Sequence, residues 1–309
     1  MSRVGAAVLP DLDLGTPAAD AIDWLLVHFG DAFDAVGEAF EVFIDGLTDL
    51  LLLPPSWVAV LIFAALPVLL QRWGVAAFAL VALSVVDAMG LWEQTVESLA
   101  VVLVATVVAT LVGVPLGIWA ARRRAVSVVV RPLLDLAQTT PAFVYLIPAV
   151  FFFGVGVVPG VVATLVFAIA PAVRLTELGI KQVDTEVVEA AHAFGARPGQ
   201  LLREVQLPLA LPTIAAGVNQ VIMLSLSMVV VAGLAGAGGL GAIVTRAVTQ
   251  LDVASGIQGG LAVVILAIYL DRVTAALVEP RPIWRRLVGR SSGKAPAADE
   301  EPGLRLVAA

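Results

Sequence analysis

The sequence predicts an all-α integral membrane protein, a polytopic helical bundle of about seven spans. Composition is the first reason: of 309 residues, 60% are hydrophobic and 14% charged, and the mean hydropathy is +0.99. A soluble domain of this length needs more polar surface to cover its core. The second reason is the grouping of apolar residues into runs approaching the roughly 18 or more that a spanning helix needs. The third is the placement of basic side chains in alternate connections, which is how membrane proteins set their orientation. The chain contains no cysteine, so disulfides, zinc fingers and thiol nucleophiles are excluded. The formal charge of −7 therefore matters less than where the charges lie.

Residues 1–54 read as an external acidic amphipathic segment. They lack the basic start, short apolar stretch and small-residue cleavage site of a signal peptide. From Ala18 to Leu53 apolar side chains recur at helical spacing, among them Ile22, Leu25, Leu26, Phe29, Phe33, Phe40, Ile44 and Leu47. Asp20, Asp23, Asp31, Asp34, Glu38, Glu41, Asp45 and Asp49 fill the other face. That pattern predicts an amphipathic helix broken near Gly30 or Gly37 and ended by Pro54-Pro55. Two positions suit it equally, in the membrane interface or packed on the chain's own spans.

Seven apolar segments come after it: Trp57–Leu70, Val75–Leu91, Val96–Ala121, Pro141–Val158, Val161–Leu178, Leu209–Leu234 and Gly260–Val278. The first two form an accessory hairpin within 55–92. The last five make a core over 93–280. Trp57, Trp73, Trp92 and Trp119 sit at segment ends, as interfacial anchors do. Arg72, Arg122, Arg123, Arg124, Arg131, Lys181, Arg197 and Arg203, with Arg281, Arg285, Arg286 and Arg290, occupy one set of connections. Only Arg3 and Arg246 fall on the other side. The N-terminus is thus expected outside and the C-terminus in the cytoplasm. The tail 281–309, rich in Ser, Gly, Ala, Pro and acids, is expected to be disordered.

The connection 179–208 is neither apolar nor low in complexity. Asp184 is placed to cap a helix whose first turns carry Glu186 and Glu189, where negative charge is favoured. Gly195 suits its end, and Pro198 suits the first turn of a second short helix. A projecting pair of short helices topped by small residues predicts a docking element.

Within it, Glu189-Ala190-Ala191, three residues, Gly195, nine residues and Val205-Gln206-Leu207-Pro208 form a long spaced pattern. It resembles the cytoplasmic E-A-A-x3-G-x9-I-x-L-P loop of ABC importer permeases, with Val205 in place of Ile. The resemblance implies that Glu189, Ala190, Ala191, Gly195, Leu207 and Pro208 dock on an ATP-binding subunit and transmit its closure to the spans. Further stretches resemble the glycine betaine/proline branch of that family: Gln138-Thr-Thr-Pro-Ala-Phe-Val-Tyr-Leu-Ile-Pro148, Val205 through Gln220, Leu224 through Val231, Ala237-Gly-Gly-Leu-Gly241 and Ile265 through Arg272. Together they cover roughly residues 20 to 280.

The branch implies a type I permease with a five-span core, in the inner or plasma membrane of a bacterium. Its expected partners are two ATP-binding cassette subunits, a second permease copy, an external substrate-binding protein and membrane lipid, with no nucleic acid. No cofactor is expected on this chain, ATP being used by the partner subunit. The expected cargo is a compatible solute of the glycine betaine or proline type, the alternatives being choline, carnitine, an amino acid or another small solute.

Other chemistries fit less well. Gly236-x-Gly238-x-x-Gly241 matches a dinucleotide fingerprint in letters only, since it follows an apolar span rather than a strand. These glycines are expected to allow close packing or a re-entrant turn. Ser291-Ser-Gly-Lys294 lacks the glycine spacing of a phosphate loop, so no catalytic residues are expected and the chain is not read as an enzyme. His28 and His192 are isolated, so no metal site is expected.

Thr139, Thr140, Tyr145, Asn219, Gln220, Ser225 and Ser227 are polar residues within apolar segments, where they either line a path or bond neighbouring helices. Asp271-Arg272 reads as a local ion pair. Aromatics make up 6% of the chain and fall mostly at segment ends, so no cage for a quaternary ammonium is read and selection is expected in a separate external protein. A secondary transporter, the rival from another class, would need more ionisable residues inside its spans. A membrane-bound enzyme would need clustered catalytic side chains.

Overall fold

The computed structural model describes residues 15–278, and every regular element among them is a helix. The predicted tail 281–309 lies outside the described residues. Helix α1 (Gly15–Leu52) ends before Pro54-Pro55. It runs unbroken through Gly30 and Gly37, where a break was predicted. A glycine inside a helix costs only about 1 kcal/mol relative to alanine, and the packed apolar stripe outweighs that. Phe33 stacks on Phe152 with ring centroids 4.6 Å apart and meets Phe153 edge-on at 5.8 Å. Phe40, Ile44 and Leu47 pack on Ala100, Val101, Val104 and Val161. This half of α1 thus rests on the chain's own spans, while Trp24 and Val27 nearer its start remain exposed.

Next come α2 (Ser56–Leu69) and α3 (Trp73–Ala88), then α4 (Trp92–Arg122) and α5 (Arg124–Thr139). A 3-10 turn, Ala142–Tyr145, leads into α6 (Leu146–Phe153). After it come helix α7 (Val157–Lys181), the short α8 (Thr185–Ala193) and one turn of α9 (Pro198–Gln200). A wider turn with i→i+5 bonding, Leu201–Gln206, joins α9 to α10 (Leu207–Leu234). The last elements are α11 (Gly239–Gln250) and α12 (Val253–Val278).

Among the described residues, four helices are long and apolar enough to cross a bilayer: α4, α7, the continuous Pro198–Leu234 and α12. Counting the bent pairs α1–α2 (98°) and α5–α6 (106°) as one span each gives six, where seven were predicted. Two physical reasons lower the seven predicted spans to the four single helices. At 1.5 Å per residue, the 14 residues of α2 and 16 of α3 reach about 21 and 24 Å, short of a core roughly 30 Å thick. Pro141–Val158, predicted as one span, is a 3-10 turn, eight residues of helix and a loop. Pro141 holds the preceding Thr140 extended (φ −73°, ψ 133°), and Gly154 leaves the helical region at φ 76°.

The centre of the bundle is the packing of α4, α7 and α10. Gly113 and Gly117 lie four apart on α4, and a methyl group on them would sit 2.7 Å from Ala172 Cβ and 2.6 Å from the Val173 carbonyl of α7. Such small-xxx-small spacing lets two helix backbones approach within a membrane, where no hydrophobic force presses them together. Around this centre, α2, α3 and α12 surround an apolar cluster that includes Leu83, Val86, Trp92, Leu226, Leu266 and Tyr269. Trp92 was expected as an interfacial anchor. It is 9% exposed and packs on Phe63, whereas Trp57, Trp73 and Trp119 are more than half exposed.

The chain brings Arg122, Lys181 and Leu207 to one end of the bundle, the loop end. It brings Trp92, Val157 and Leu234 to the other, the cap end.

Candidate coupling loop and translocation path

The loop end is built around α8. The Asp184 carboxylate accepts the Glu186 amide at 2.9 Å, capping the first turn as its position suggested. At the other terminus Gly195 adopts φ 80°, its N–H bonds to the His192 carbonyl at 2.9 Å, and the Ala196 N–H bonds to Ala191 at 3.0 Å. This is the paired Schellman closure, and its left-handed residue favours glycine. The Arg197 N–H is taken by the Gln200 amide oxygen at 3.0 Å, and Pro198 opens α9.

The predicted second short helix is instead the start of a span. Residues Pro198–Leu234 form one continuous helix of 37 residues that rises from the loop. Pro208 explains the wide turn before it. Proline has no N–H to give the carbonyl four residues back and its ring crowds that carbonyl, so widening the turn to i→i+5 relieves both. Helix α8 is therefore joined to α10 by a fixed turn and to α7 by only three residues, 182–184.

No residue of α8 is buried. Glu189, Ala190 and Gly195 are exposed, Ala191 is half-buried, and Phe194 stands 93% exposed just past the helix end. Leu207 is half-buried, packed near Ile180, Leu202 and Ala210, and so anchors the loop's base, while Pro208 faces outward. Behind α8 lies a cleft of about 350 Å³ walled by Ala121, Arg122, Ile180, Lys181, Thr185 and Val188. The motif residues thus share one exposed element, except for Leu207 and Pro208, which belong to the foot of the span.

The predicted polar residues separate into three groups. Thr139, Thr140 and Tyr145 lie at the α5–α6 bend. The Thr139 hydroxyl donates to the Leu136 carbonyl at 3.3 Å, and the Tyr145 hydroxyl reaches the carbonyls of Leu136 and Ala137, both at 3.1 Å. Tyr145 thereby ties the start of α6 to the end of α5. In the second group, the Asn219 amide donates to the Asp271 carboxylate at 3.1 Å and its carbonyl accepts from the Thr274 hydroxyl at 2.5 Å, joining α10 to α12. Asp271 therefore bonds across to α10 instead of forming the expected pair with Arg272. In the third, Gln220 and Ser227 share an exposed stripe of α10 with Met223, whose carbonyl accepts the Ser227 hydroxyl at 3.0 Å. Ser225 belongs to none of these. It is 1% exposed, and its hydroxyl has no partner among the described residues.

Several polar residues of note escaped the sequence reading. The Glu177 carboxylate in α7 is 4% exposed and accepts from Ser127 at 2.8 Å, Arg131 at 2.9 Å and Lys181 at 2.5 Å. One helical turn earlier, Arg174 bonds to Gln138 at 2.9 Å and pairs with Asp135. The charges at 174, 177 and 181 inside and after an apolar run were the available signal.

At the cap end, the N–H of Gly239 donates to the Glu97 carboxylate at 2.7 Å and that of Leu240 to the Ser98 hydroxyl at 2.8 Å. The dinucleotide-like glycines therefore form a turn between helices, its backbone held by side chains of α4. No local signal marks that pairing, because its partners lie 142 residues apart.

Comparison with known proteins fits this arrangement. Residues 113–281 match the family model described as the binding-protein-dependent transport system inner membrane component. The chain belongs to this family. The permease is 47% identical over 266 residues to the glycine betaine transport system permease protein OpuAB of Bacillus subtilis (strain 168), covering 86% of this chain and 94% of that one. It is also 47% identical over 266 residues to the glycine betaine/proline betaine permease protein ProW of Escherichia coli (strain K12), covering 86% and 75%. Similarity to the choline transport system permease protein OpuBB of Bacillus subtilis (strain 168) is 31% over 59% of the permease and 84% of that chain. Among solved structures, a chain of the MetNI methionine ABC transporter in an inward-facing conformation superposes with a TM-score of 0.54 at 23% identity, covering 61% of the permease and 94% of that chain. The permease is thus an all-α inner membrane transport component with the type I ABC permease fold.

Proposed function

We propose that this permease forms half of the transmembrane pathway of an ATP-driven importer of glycine betaine, proline betaine or a closely related compatible solute. The observation that carries the reading is the geometry of α8, an exposed helix capped at both ends and joined by a fixed turn to a helix that continues into the membrane. An element of that shape passes a push at the loop directly to a span. Its glutamate, alanines and Gly195 form the face for an ATP-binding cassette subunit, with small side chains that allow close approach and Phe194 as an exposed apolar contact.

Orientation follows from charge. Arg122, Arg123, Arg124, Lys181, Arg197 and Arg203 gather at the loop end, which is therefore the cytoplasmic side. The exposed stripe of Gln220, Met223 and Ser227 on α10 faces a second copy of the chain, and the solute passes between the two. Two ATP-binding subunits close beneath the paired loops, the cavity opens outward, and an external binding protein delivers the solute. Hydrolysis in those subunits, not in this chain, resets the pair.

The solute class rests on the high identity to betaine permeases across most of the chain, against lower identity over a shorter stretch to a choline permease. Uptake of labelled glycine betaine after salt upshift, in cells with and without this gene, tests it. Loss in the deletion and restoration by the gene is the expected result. Unchanged uptake in cells without another carrier would move the cargo to choline or another small solute. Gly195→Asp is expected to abolish uptake while leaving the protein in the membrane, and normal uptake in that variant would remove the docking role of α8.

A further inference from the structure

Helix α5 is attached to the bundle in an unusual way. Its apolar side chains Val128, Val129, Leu133 and Leu136 point away from the protein, each about 60% exposed. Its polar residues Ser127, Arg131, Asp135 and Gln138 recur at every turn on the side that meets α7. Leu134 and Val130, packed near Ala170, Val173 and Ile169, add apolar contact to that seam. In lipid, the outward apolar face gives no preference for one position on α7 over another, because the surrounding tails are as apolar as the side chains. The polar seam has to set the register.

The seam converges on Glu177. This carboxylate is buried and receives hydrogen bonds from α5 through Ser127 and Arg131, and from its own helix through Lys181. Lys181 is the last residue of α7, and the coupling loop begins directly after it. At its other end, α5 is tied to α6 through Tyr145. One chain of contacts thus runs from the base of α8, through Lys181 and Glu177, to Arg131, along α5 and into the bend.

We propose that Glu177 is a positioning residue that makes α5, and through it the α5–α6 bend, follow the coupling loop when the ATP-binding subunit closes. The inference rests on the importer reading of the protein. Losing the charge across this seam unlinks hydrolysis from transport without undoing the docking of the ATPase. A buried carboxylate held by both Arg and Lys transmits displacement in both directions, since pulling both partners away together would strand its charge in a poorly hydrated site.

The test uses the whole importer, purified with its ATP-binding subunits and reconstituted with its external binding protein. Solute uptake and ATP hydrolysis are measured on the same vesicles. Glu177→Gln addresses the buried group. Arg131→Gln removes the charged α5 partner and leaves the Ser127 hydrogen bond in place; the Arg131 side chain is 58% exposed, so the fold survives its loss. Solute imported per ATP is expected to fall about 10-fold in Arg131→Gln and to recover in Arg131→Lys, within the range by which residues between coupled sites change coupling.

A direct readout is possible because the chain has no cysteine of its own. Spin labels at Val129→Cys and Ala193→Cys report α5 and α8 separately. Trapping the ATP-bound state is expected to move both labels in the parent and only the α8 label in Arg131→Gln. Wild-type coupling and joint movement in Arg131→Gln would overturn the proposal. Absence of ATP-dependent uptake by the unmodified complex would instead overturn the importer reading beneath it.

Discussion

The two ends of the bundle solve the same problem in opposite ways. Each contains a short helix with backbone groups that need partners. At the cap end the chain supplies them itself: Glu97 and Ser98 of α4 accept the first amides of α11, the Gly156 N–H bonds to the Ala235 carbonyl at 2.9 Å, and Gly241 lies against the backbone of α10. At the loop end α8 is capped only by its own neighbours in sequence, and none of its residues is fully buried. A helix closed by local caps keeps its shape without support, so it can leave its surface to a different chain. A helix capped by a distant span holds its shape only while that span stays in place. The first arrangement suits a docking lever, and the second suits a fixed closure.

That contrast can be broken most severely at Gly241. An added methyl would collide with the Val229 carbonyl, backbone on one side and backbone on the other, with no side chain able to rotate away. Gly241→Ala is expected to destabilise the protein by more than about 3 kcal/mol, beyond ordinary overpacking. Thermal unfolding of the detergent-solubilised protein, followed by size-exclusion fluorescence, measures it. An unfolding temperature equal to that of the parent would mean that α11 is not seated on α10 as described.

A smaller effect is expected at the caps of α11. Ser98→Ala leaves the buried Leu240 amide without an acceptor, which costs about 1–3 kcal/mol. Ser98→Thr retains the hydroxyl and should recover much of it. At the loop end the matching change is Asp184→Ala, which removes the Glu186 cap and should weaken α8 by about 1 kcal/mol. The readouts are expected to diverge. Ser98→Ala lowers the unfolding temperature of the whole bundle. Asp184→Ala barely moves it and instead weakens co-purification with the ATP-binding subunit. Equal effects on global stability would erase the distinction between the two ends.

How much of this was legible in the sequence divides along the same line. The caps of α8 could be read because Asp184, Glu186, Gly195 and Pro198 lie within a few residues of their partners. The long spans could be read because apolar length is itself the signal. The α5–α6 bend was only half visible: Pro141 and Gly154 mark breaks, but packing of α6 near Ala163 and Met228 fixes the direction of the chain between them. The continuity of α1 through Gly30 and Gly37 is set by packing on distant spans, which helix propensity at those glycines does not show. The spacing of Gly113 and Gly117 is local and readable, although its partner helix is not. The Glu97, Ser98 and Arg131 contacts were beyond reach, since each joins residues more than forty positions apart and nothing local selects the partner.

The smallest expected effect concerns the turn between α11 and α12, where a local cap adjoins a helix packed over long range. Asp252 accepts from the Ser255 hydroxyl at 2.6 Å and from the Ser255 amide at 3.2 Å, and these bonds hold its carboxyl below the usual aspartate value. A carboxyl whose folded pKa is depressed stabilises the fold above its unfolded pKa, and that contribution disappears as pH falls through the folded value. Asp252→Asn should therefore unfold slightly earlier than the parent at neutral pH. The gap should close as pH drops below about 4, the range of an ordinary aspartate. Unfolding temperatures of both proteins across that range decide the matter. A gap that persists into acid would mean that the side chain acts through shape and not through charge, and a gap that widens would reverse the sign of the argument.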